Sequence, residues 1–250
     1  PEAEIYHSFD ASEKTLDVTL TEGDGLKIIN IQFKGDGCLI SEPLQLFISL
    51  DQTAPAVISI TPEDVIAVEG GLAVEGYVTS NEEVSLSIRT AGASHLLVGG
   101  EGVEAVNGQP ALIDTPLETA EPEPLVVTLT LEAQEDGARE VQVVAVDQAG
   151  NTSAPMTLSL TLDRLAPTRP QVEVISPTPV TDPNAQVTLS LSAEDAVMMQ
   201  IDNSSNFPNS EWLPYESNRS IIWTLRQPSI DGSKTVYARF RDLVGNVSEI

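Results

Sequence analysis

The ten residues VDQAGNTSAP at 146–155 hold a carboxylate, a Gly-Asn pair, two hydroxyls and a proline. The spacing D-x-x-G-N-x-S returns at 242–248 as DLVGNVS. Oxygen-rich spacing of this kind offers two chemistries. Carboxylates and carbonyls can cage a hard cation such as Ca²⁺, with Asp51, Asp147, Asp163 and Asp242 as the candidate metal ligands. Asp51 and Asp163 each stand shortly before an Ala-Pro pair, at what reads as a domain border, where Asp147 or Glu63 could complete an oxygen cage. The other chemistry is a turn. Gly150 and Gly245 supply positive φ, Asn151 and Asn246 tolerate it, and Asp147 and Asp242 accept hydrogen bonds from the turn's own amides. Turn chemistry accounts for the whole motif without a ligand, and no D-x-D-x-D-G loop or Gly-rich nonapeptide array supports calcium. A motif that recurs within one chain reads as a building-block feature rather than an active centre.

Catalytic constellations are sparse. The two histidines, His7 and His95, lie in no H-E-x-x-H, and neither G-x-S-x-G nor a Walker sequence occurs. Ser94 and His95 are neighbours in the chain, but a triad is a matter of geometry. Glu82-Glu83 and Glu194-Asp195 have the residue types of a glycosidase pair, yet on strands and turns they read as solvated charge. The chain is therefore expected not to be an enzyme, with no catalytic or cofactor-binding residues. Trp212, Tyr215 and Trp223 cluster near the end of the chain. Trp223 alternates into an apolar strand and is expected in the core, while Trp212 and Tyr215 are the possible ligand-contact aromatics.

Composition bounds the partners. With 12 basic against 38 acidic residues, net −26, the chain lacks the clustered Lys and Arg that phosphate binding needs, which excludes nucleic acid. Docking on anionic lipid is disfavoured too, and no apolar run is long enough to insert in a membrane. The acidic excess reads as solubility, with a supply of oxygen ligands as the alternative. Cys38 is the only cysteine, so no internal disulfide and no thiolate zinc site exist. Burial as a small hydrophobe or pairing with another chain both remain open for it. Asn-x-Ser/Thr occurs at Asn151, Asn203, Asn218 and Asn246, a glycan acceptor only in a secretory eukaryotic setting.

The elements that must position these residues are strands. Segments such as TLDVTL (15–20), KIINIQF (27–33), LQLFISL (44–50), EVSLSIR (83–89), LVVTLTLEA (125–133), REVQVVAVD (139–147), MTLSLTLD (156–163), QVTLSLSA (186–193) and KTVYARFRD (234–242) alternate apolar and polar residues. That is the period of a strand with one buried face. No stretch keeps helical apolar spacing, so the chain is all-β. Its organisation is repetitive. Asp-Gly-x-basic occurs at 24–27, 136–139 and 231–234, and a serine lies seventeen residues after each aspartate, at Ser41, Ser153 and Ser248. Leu-Asp-x-x-Ala-Pro follows in the first two copies, at Asp51 and Asp163. The register gives spacings of 112 residues (24 to 136) and 95 (136 to 231). The excess is assigned to 92–124, a Gly-, Pro- and Glu-rich stretch read mostly as a long loop.

Units of about a hundred residues ending in Val-Asp-x-Ala-Gly-Asn-x-Ser and Leu-Asp-x-x-Ala-Pro resemble the tandem bacterial Ig-like or fibronectin-III-like repeat modules of large secreted and cell-surface proteins. The resemblance implies an all-β fold of tandem Ig-like/FnIII-like β-sandwich domains, the first and last incomplete. They are a partial module at 1–53 with the later strands only, a complete module at 54–165 with the 92–124 insertion, and a module at 166–250 lacking its last strand. Truncation and strand exchange between subunits both account for incomplete ends. It also implies a non-catalytic, extracellular or cell-surface spacer or stalk, whose partners are neighbouring modules of the same or another chain. An adhesive module for a glycan or a host or cell-surface protein is the alternative. A filament subunit assembling by strand complementation is a second one.

Overall fold

The computed structural model describes residues 7–8, 15–35, 37, 39–68, 76–110, 113–116, 124–181, 184–208, 210–217, 219–225 and 231–250. Cys38 and Asn218 lie outside them. By internal contacts the chain forms two units. One is Pro1–Ala54 with Ala149–Asn151, and the other is Pro55–Gln148 with Thr152–Ile250.

Among the described residues the first unit contains one antiparallel hairpin, β1 (Gly25–Ile31) and β2 (Leu44–Leu50), paired from Gly25↔Leu50 to Ile31↔Leu44. TLDVTL at 15–20, expected as a strand from its alternation, is not one. A period-two pattern favours a strand only where a neighbour supplies ladder partners.

The second unit holds two sandwiches. The middle one comprises β3 (Ala56–Pro62), β4 (Ile66–Val68), β5 (Gly76–Thr79), β6 (Glu83–Ala91), β7 (His95–Glu101), β8 (Val103–Val106), β9 (Gln109–Pro110), β10 (Ile113–Pro116), β11 (Leu125–Leu131), β12 (Gly137–Val146) and β13 (Met156–Leu162). Its sheets run β10-β7-β12-β13-β5-β4 and β3-β6-β11-β8-β9. Alternate residues point inward, so Val84, Leu86 and Ile88 of β6 join Val127, Leu129 and Leu131 of β11, and Val141, Val143 and Ala145 of β12, in one buried core. The last sandwich comprises β14 (Thr168–Val174), β15 (Gln186–Glu194), β16 (Met198–Asp202), β17 (Leu213–Pro214), β18 (Ser220–Thr224) and β19 (Tyr237–Arg241). Its sheets run β14-β15-β18 and β17-β16-β19, around a separate core of Val187, Leu189, Leu191, Met199, Ile201, Ala238 and Phe240.

The stretch 92–124, expected mostly as loop, carries β7 to β10 among its described residues. Its glycines misdirected the reading. Gly100, at φ +151° opposite Val141, lies where a Cβ would fall 1.9 Å from the Glu140 carbonyl oxygen. Glycine there permits close strand approach rather than marking a loop.

The repeat seen in the sequence is a repeat of geometry. Gly137↔Leu162 to Val143↔Met156 reproduces the β1–β2 pairing position for position. Isolated bridges follow at Lys34↔Ile40, Val146↔Thr152 and Arg241↔Val247. The serine hydroxyl then locks each turn. The amides of Phe33, Ala145 and Phe240 donate to the Oγ of Ser41, Ser153 and Ser248 at 2.9, 3.0 and 3.0 Å. Each serine amide donates back to the carbonyl of the same partner, at 2.8 to 2.9 Å.

The hairpin of the first unit shares this register but not the burial. Val143, Ala145 and Leu160 are fully buried, whereas Phe33 and Ile48, equivalent to the last two, are 53% and 39% exposed.

Candidate functional site

Four of the polar residues singled out by their spacing, Asp136, Asp163, Asp242 and Asn246, meet at the segment joining the two sandwiches of the second unit. The D-x-x-G-N turn closes as an Asx structure. Asp242 Oδ1 accepts from the amides of Gly245 (2.7 Å) and Asn246 (2.8 Å), and Asp242 Oδ2 accepts from Asn246 Nδ2 at 2.8 Å. Gly245 takes φ +103°, the left-handed region in which glycine is unstrained. The same Nδ2 reaches out of its own module to the carbonyl oxygens of Asp163 (3.1 Å) and Leu165 (3.3 Å), so its two hydrogens are shared among three acceptors. Sequence reasoning assigned Asn246 only to the bend. No local signal marks its second role, which joins residues 83 positions apart.

The same segment is held from the middle sandwich. Asp136, the aspartate of the Asp-Gly element, accepts from the Arg164 amide at 2.7 Å and from Arg164 Nε at 2.9 Å. Arg164 Nη1 donates to Glu82 at 2.6 Å and Nη2 to the Ala133 carbonyl at 2.7 Å. Asp163 Oδ1 accepts the Leu165 amide at 3.3 Å, and the Asp163 amide donates to the Thr79 carbonyl at 2.8 Å. Within the first unit Asp24 plays the part of Asp136, accepting from the Gln52 amide at 2.8 Å and from the Thr53 hydroxyl. Residues 149–151 group with that unit. In it Asn151 Nδ2 donates to the Asp51 carbonyl at 3.1 Å, the bond that Asn246 makes to Asp163.

Charge at the joint is unbalanced. Burial pushes the Asp163 carboxyl above its ordinary range, and the nearby Asp242 carboxylate pushes it further. Burial acts the same way on Asp136, but hydrogen bonds from the Arg164 amide and guanidinium outweigh it and hold that carboxyl below the usual value. Of the four candidate ligands, Asp242 is buried and bonded to its own turn, Asp163 spans the joint, Asp51 accepts the Thr53 amide at 3.2 Å, and Asp147 is buried. Among the described residues no group of three or more His, Cys, Asp or Glu is placed to hold a metal ion.

The remaining candidates resolve individually. Tyr215 packs edge-on against Phe240 (centroids 5.2 Å apart), and its hydroxyl accepts the Ala193 amide at 3.1 Å. Trp223, half-buried, donates from Nε1 to Asn203 at 3.3 Å. Trp212 lies beneath the guanidiniums of Arg241 (4.6 Å) and Arg239 (5.4 Å), and Arg239 also stacks on Phe207 at 4.5 Å. Its indole is engaged by cations of its own sandwich. Ser94 Oγ lies 2.8 Å from His95 Nδ1 and also donates to the Val146 carbonyl at 3.3 Å. Glu82 pairs with Arg164, and Glu194 with Arg169 at 2.6 Å.

No family model matches the chain, and no curated protein matches it. Among solved structures it is similar to the Clostridium thermocellum CbhA fibronectin(III)-like modules, at 14% identity, covering 76% of this chain and 90% of that one with a TM-score of 0.40. By its own sheet topology the chain is all-β, and its second unit is built as two β-sandwiches.

Proposed function

We propose that the chain is a non-catalytic structural spacer within an extracellular multi-module protein of the bacterial surface type, and that its working part is the joint. The observation carrying this reading is the segment 163–165. It is bonded from one sandwich by Asp136, Glu82 and the Ala133 carbonyl, and from the next by Asn246. A linker gripped from both ends transmits orientation and force instead of acting as a swivel. Pro167, with fixed φ and no amide donor, stops the last strand of one module from running into the next. The negative charge keeps such an array soluble.

Single-molecule pulling on the intact chain tests the reading. The expected trace shows the sandwiches of the second unit unfolding in separate steps, with no lengthening at the joint before the first of them. A joint that pays out chain at low force while both sandwiches remain folded contradicts it.

A further inference from the structure

We propose that Arg239 and Arg241, on the outer face of β19, form a binding site for a singly charged carboxylated sugar, a hexuronic acid unit of a glycan. This goes beyond the spacer reading, which needs no ligand. Ala238 and Phe240 are buried in the core of the last sandwich, so strand alternation turns Arg239 and Arg241 to the opposite face. By the 95-residue spacing they stand where β12 has Val144 and Val146, and the bridges Val146↔Thr152 and Arg241↔Val247 fix that equivalence. β13 pairs with β12 only as far as Val143, the counterpart of Ala238, so the arginine positions lie beyond that ladder. A pair of cations where the repeat has valines is a property of this module, not of the building block.

Both guanidiniums are held in place and left open as donors. Arg241 lies over the Trp212 ring at 4.6 Å from its centre and Arg239 at 5.4 Å, while Phe207 carries Arg239 at 4.5 Å. Phe207 is buried and takes φ +48°, a left-handed backbone that residues with a Cβ rarely adopt. Arg239 Nε donates to Gln200 Oε1 at 2.7 Å, and Gln200 Nε2 donates to the Ser210 carbonyl at 2.7 Å, which orients the Arg239 guanidinium. A guanidinium over a ring is attracted through its face, and its N–H groups stay available for a bidentate carboxylate. Among the described residues, Arg239 Nη1 and Nη2 and the whole Arg241 guanidinium make no hydrogen bond or ion pair, and none of these nitrogens is an enclosed unpaired atom. Arg164, Arg169 and Arg219 each meet a carboxylate. With 38 acidic residues in the chain, two arginines on one face without such a partner form a basic spot on an acidic molecule.

The two forks flank one indole, so a ligand serving both needs further acceptors beside its carboxylate. At net −26 the field of the chain opposes a second anionic group, and neutral hydroxyl oxygens fit that place. A hexuronic acid carries one carboxylate and neighbouring hydroxyls on a rigid ring. An acidic peptide holds its second acceptors on a flexible chain, which costs ordering entropy.

The probe is methyl α-D-glucuronide added to the intact chain, with methyl α-D-glucoside and acetate as controls at matched ionic strength. Binding is followed by NMR through the Nε–H signals of Arg239 and Arg241 and the indole N–H of Trp212. The expected result is saturable shifts with the glucuronide, none with the glucoside, and acetate weaker than the glucuronide by about tenfold, the worth of hydrogen bonds to a charged donor. Arg241→Gln weakens glucuronide binding by about tenfold or more on the same grounds, with the melting midpoint of the last sandwich unchanged. Arg241→Lys keeps the charge and the stem, so it tests the bidentate fork even if Arg241→Gln does not fold, and it is expected to weaken binding too. Absence of shifts with the glucuronide, equal shifts with the glucoside, or parent-like affinity in Arg241→Lys overturns the site. Acetate or the peptide Gly-Glu-Gly binding as tightly as the glucuronide overturns the assignment to a sugar.

Discussion

Asn246 Nδ2 lies 3.1 Å from the carbonyl oxygen of Asp163, 83 residues earlier in the chain, and 2.8 Å from the carboxylate of Asp242 in its own turn. One side-chain amide thus closes a hairpin turn and grips the preceding linker. Asn246→Ala should destabilise the last sandwich by about 1–3 kcal/mol, the range for losing hydrogen bonds of this kind and leaving carbonyls unpaired. Asn246→Asp should cost more, because it replaces the donor with a carboxylate facing Asp163 and Asp242. Urea denaturation followed by Trp fluorescence measures both. Equal stability of Asn246→Asp and the parent chain would remove the clamp.

Gly100 is expected to tolerate no side chain. The Cβ of Gly100→Ala would meet backbone, the Glu140 carbonyl oxygen at 1.9 Å. Backbone between paired strands cannot yield as a side-chain tip does. The loss should exceed about 4 kcal/mol, in the range reserved for strain and overpacking. Circular dichroism melting of the variant checks it, and a parent-like midpoint contradicts the strand pairing described.

Two carboxyls at the joint respond oppositely to pH. The folded-state value of Asp136 is lowered, so its contribution is present above the unfolded value and is lost as pH falls through the folded one. The value of Asp163 is raised, so the ionised group costs stability above its folded value and that cost disappears as pH falls. Asp163→Asn, which keeps an oxygen for the Leu165 amide, should therefore stabilise the chain at pH 7 and make no difference below the ordinary aspartate range. Asp136→Asn should destabilise at pH 7 and converge with the parent in acid. Urea midpoints across pH 3–7 decide it, and a destabilising Asp163→Asn at neutrality reverses the assignment.

Amide and guanidinium donors, rather than a cation, join the sandwiches in this account. The melting midpoint is accordingly expected to be the same in EDTA and in Ca²⁺. A fall of several degrees in chelator, restored by Ca²⁺, contradicts it and returns Asp163 and Asp242 to the role of ligands.

The sequence made the strands and their order readable because half-buried strands alternate and the Asp-Gly, Gly-Asn and Leu-Asp landmarks recur. It misplaced β7 to β10, since glycine serves close strand approach and loops alike, and position 100 shows the former. It also marked 15–20 as a strand on alternation alone. The Asx closure by Asp242 was legible, being local. The outward grip of Asn246 was not, because it links residues brought together only by the folding of two sandwiches. Nor was the stacking of Trp212 under Arg239 and Arg241, which depends on β19 placing two side chains on one face.

The central claim is that the two sandwiches of the second unit are held in one orientation by the bonds at 163–165. Residual dipolar couplings of the backbone amides, collected for both sandwiches in the intact chain, test it most directly. The account expects one alignment tensor to fit both sets in the parent and two different tensors to be required in Asn246→Ala. Distinct tensors in the parent itself would contradict it.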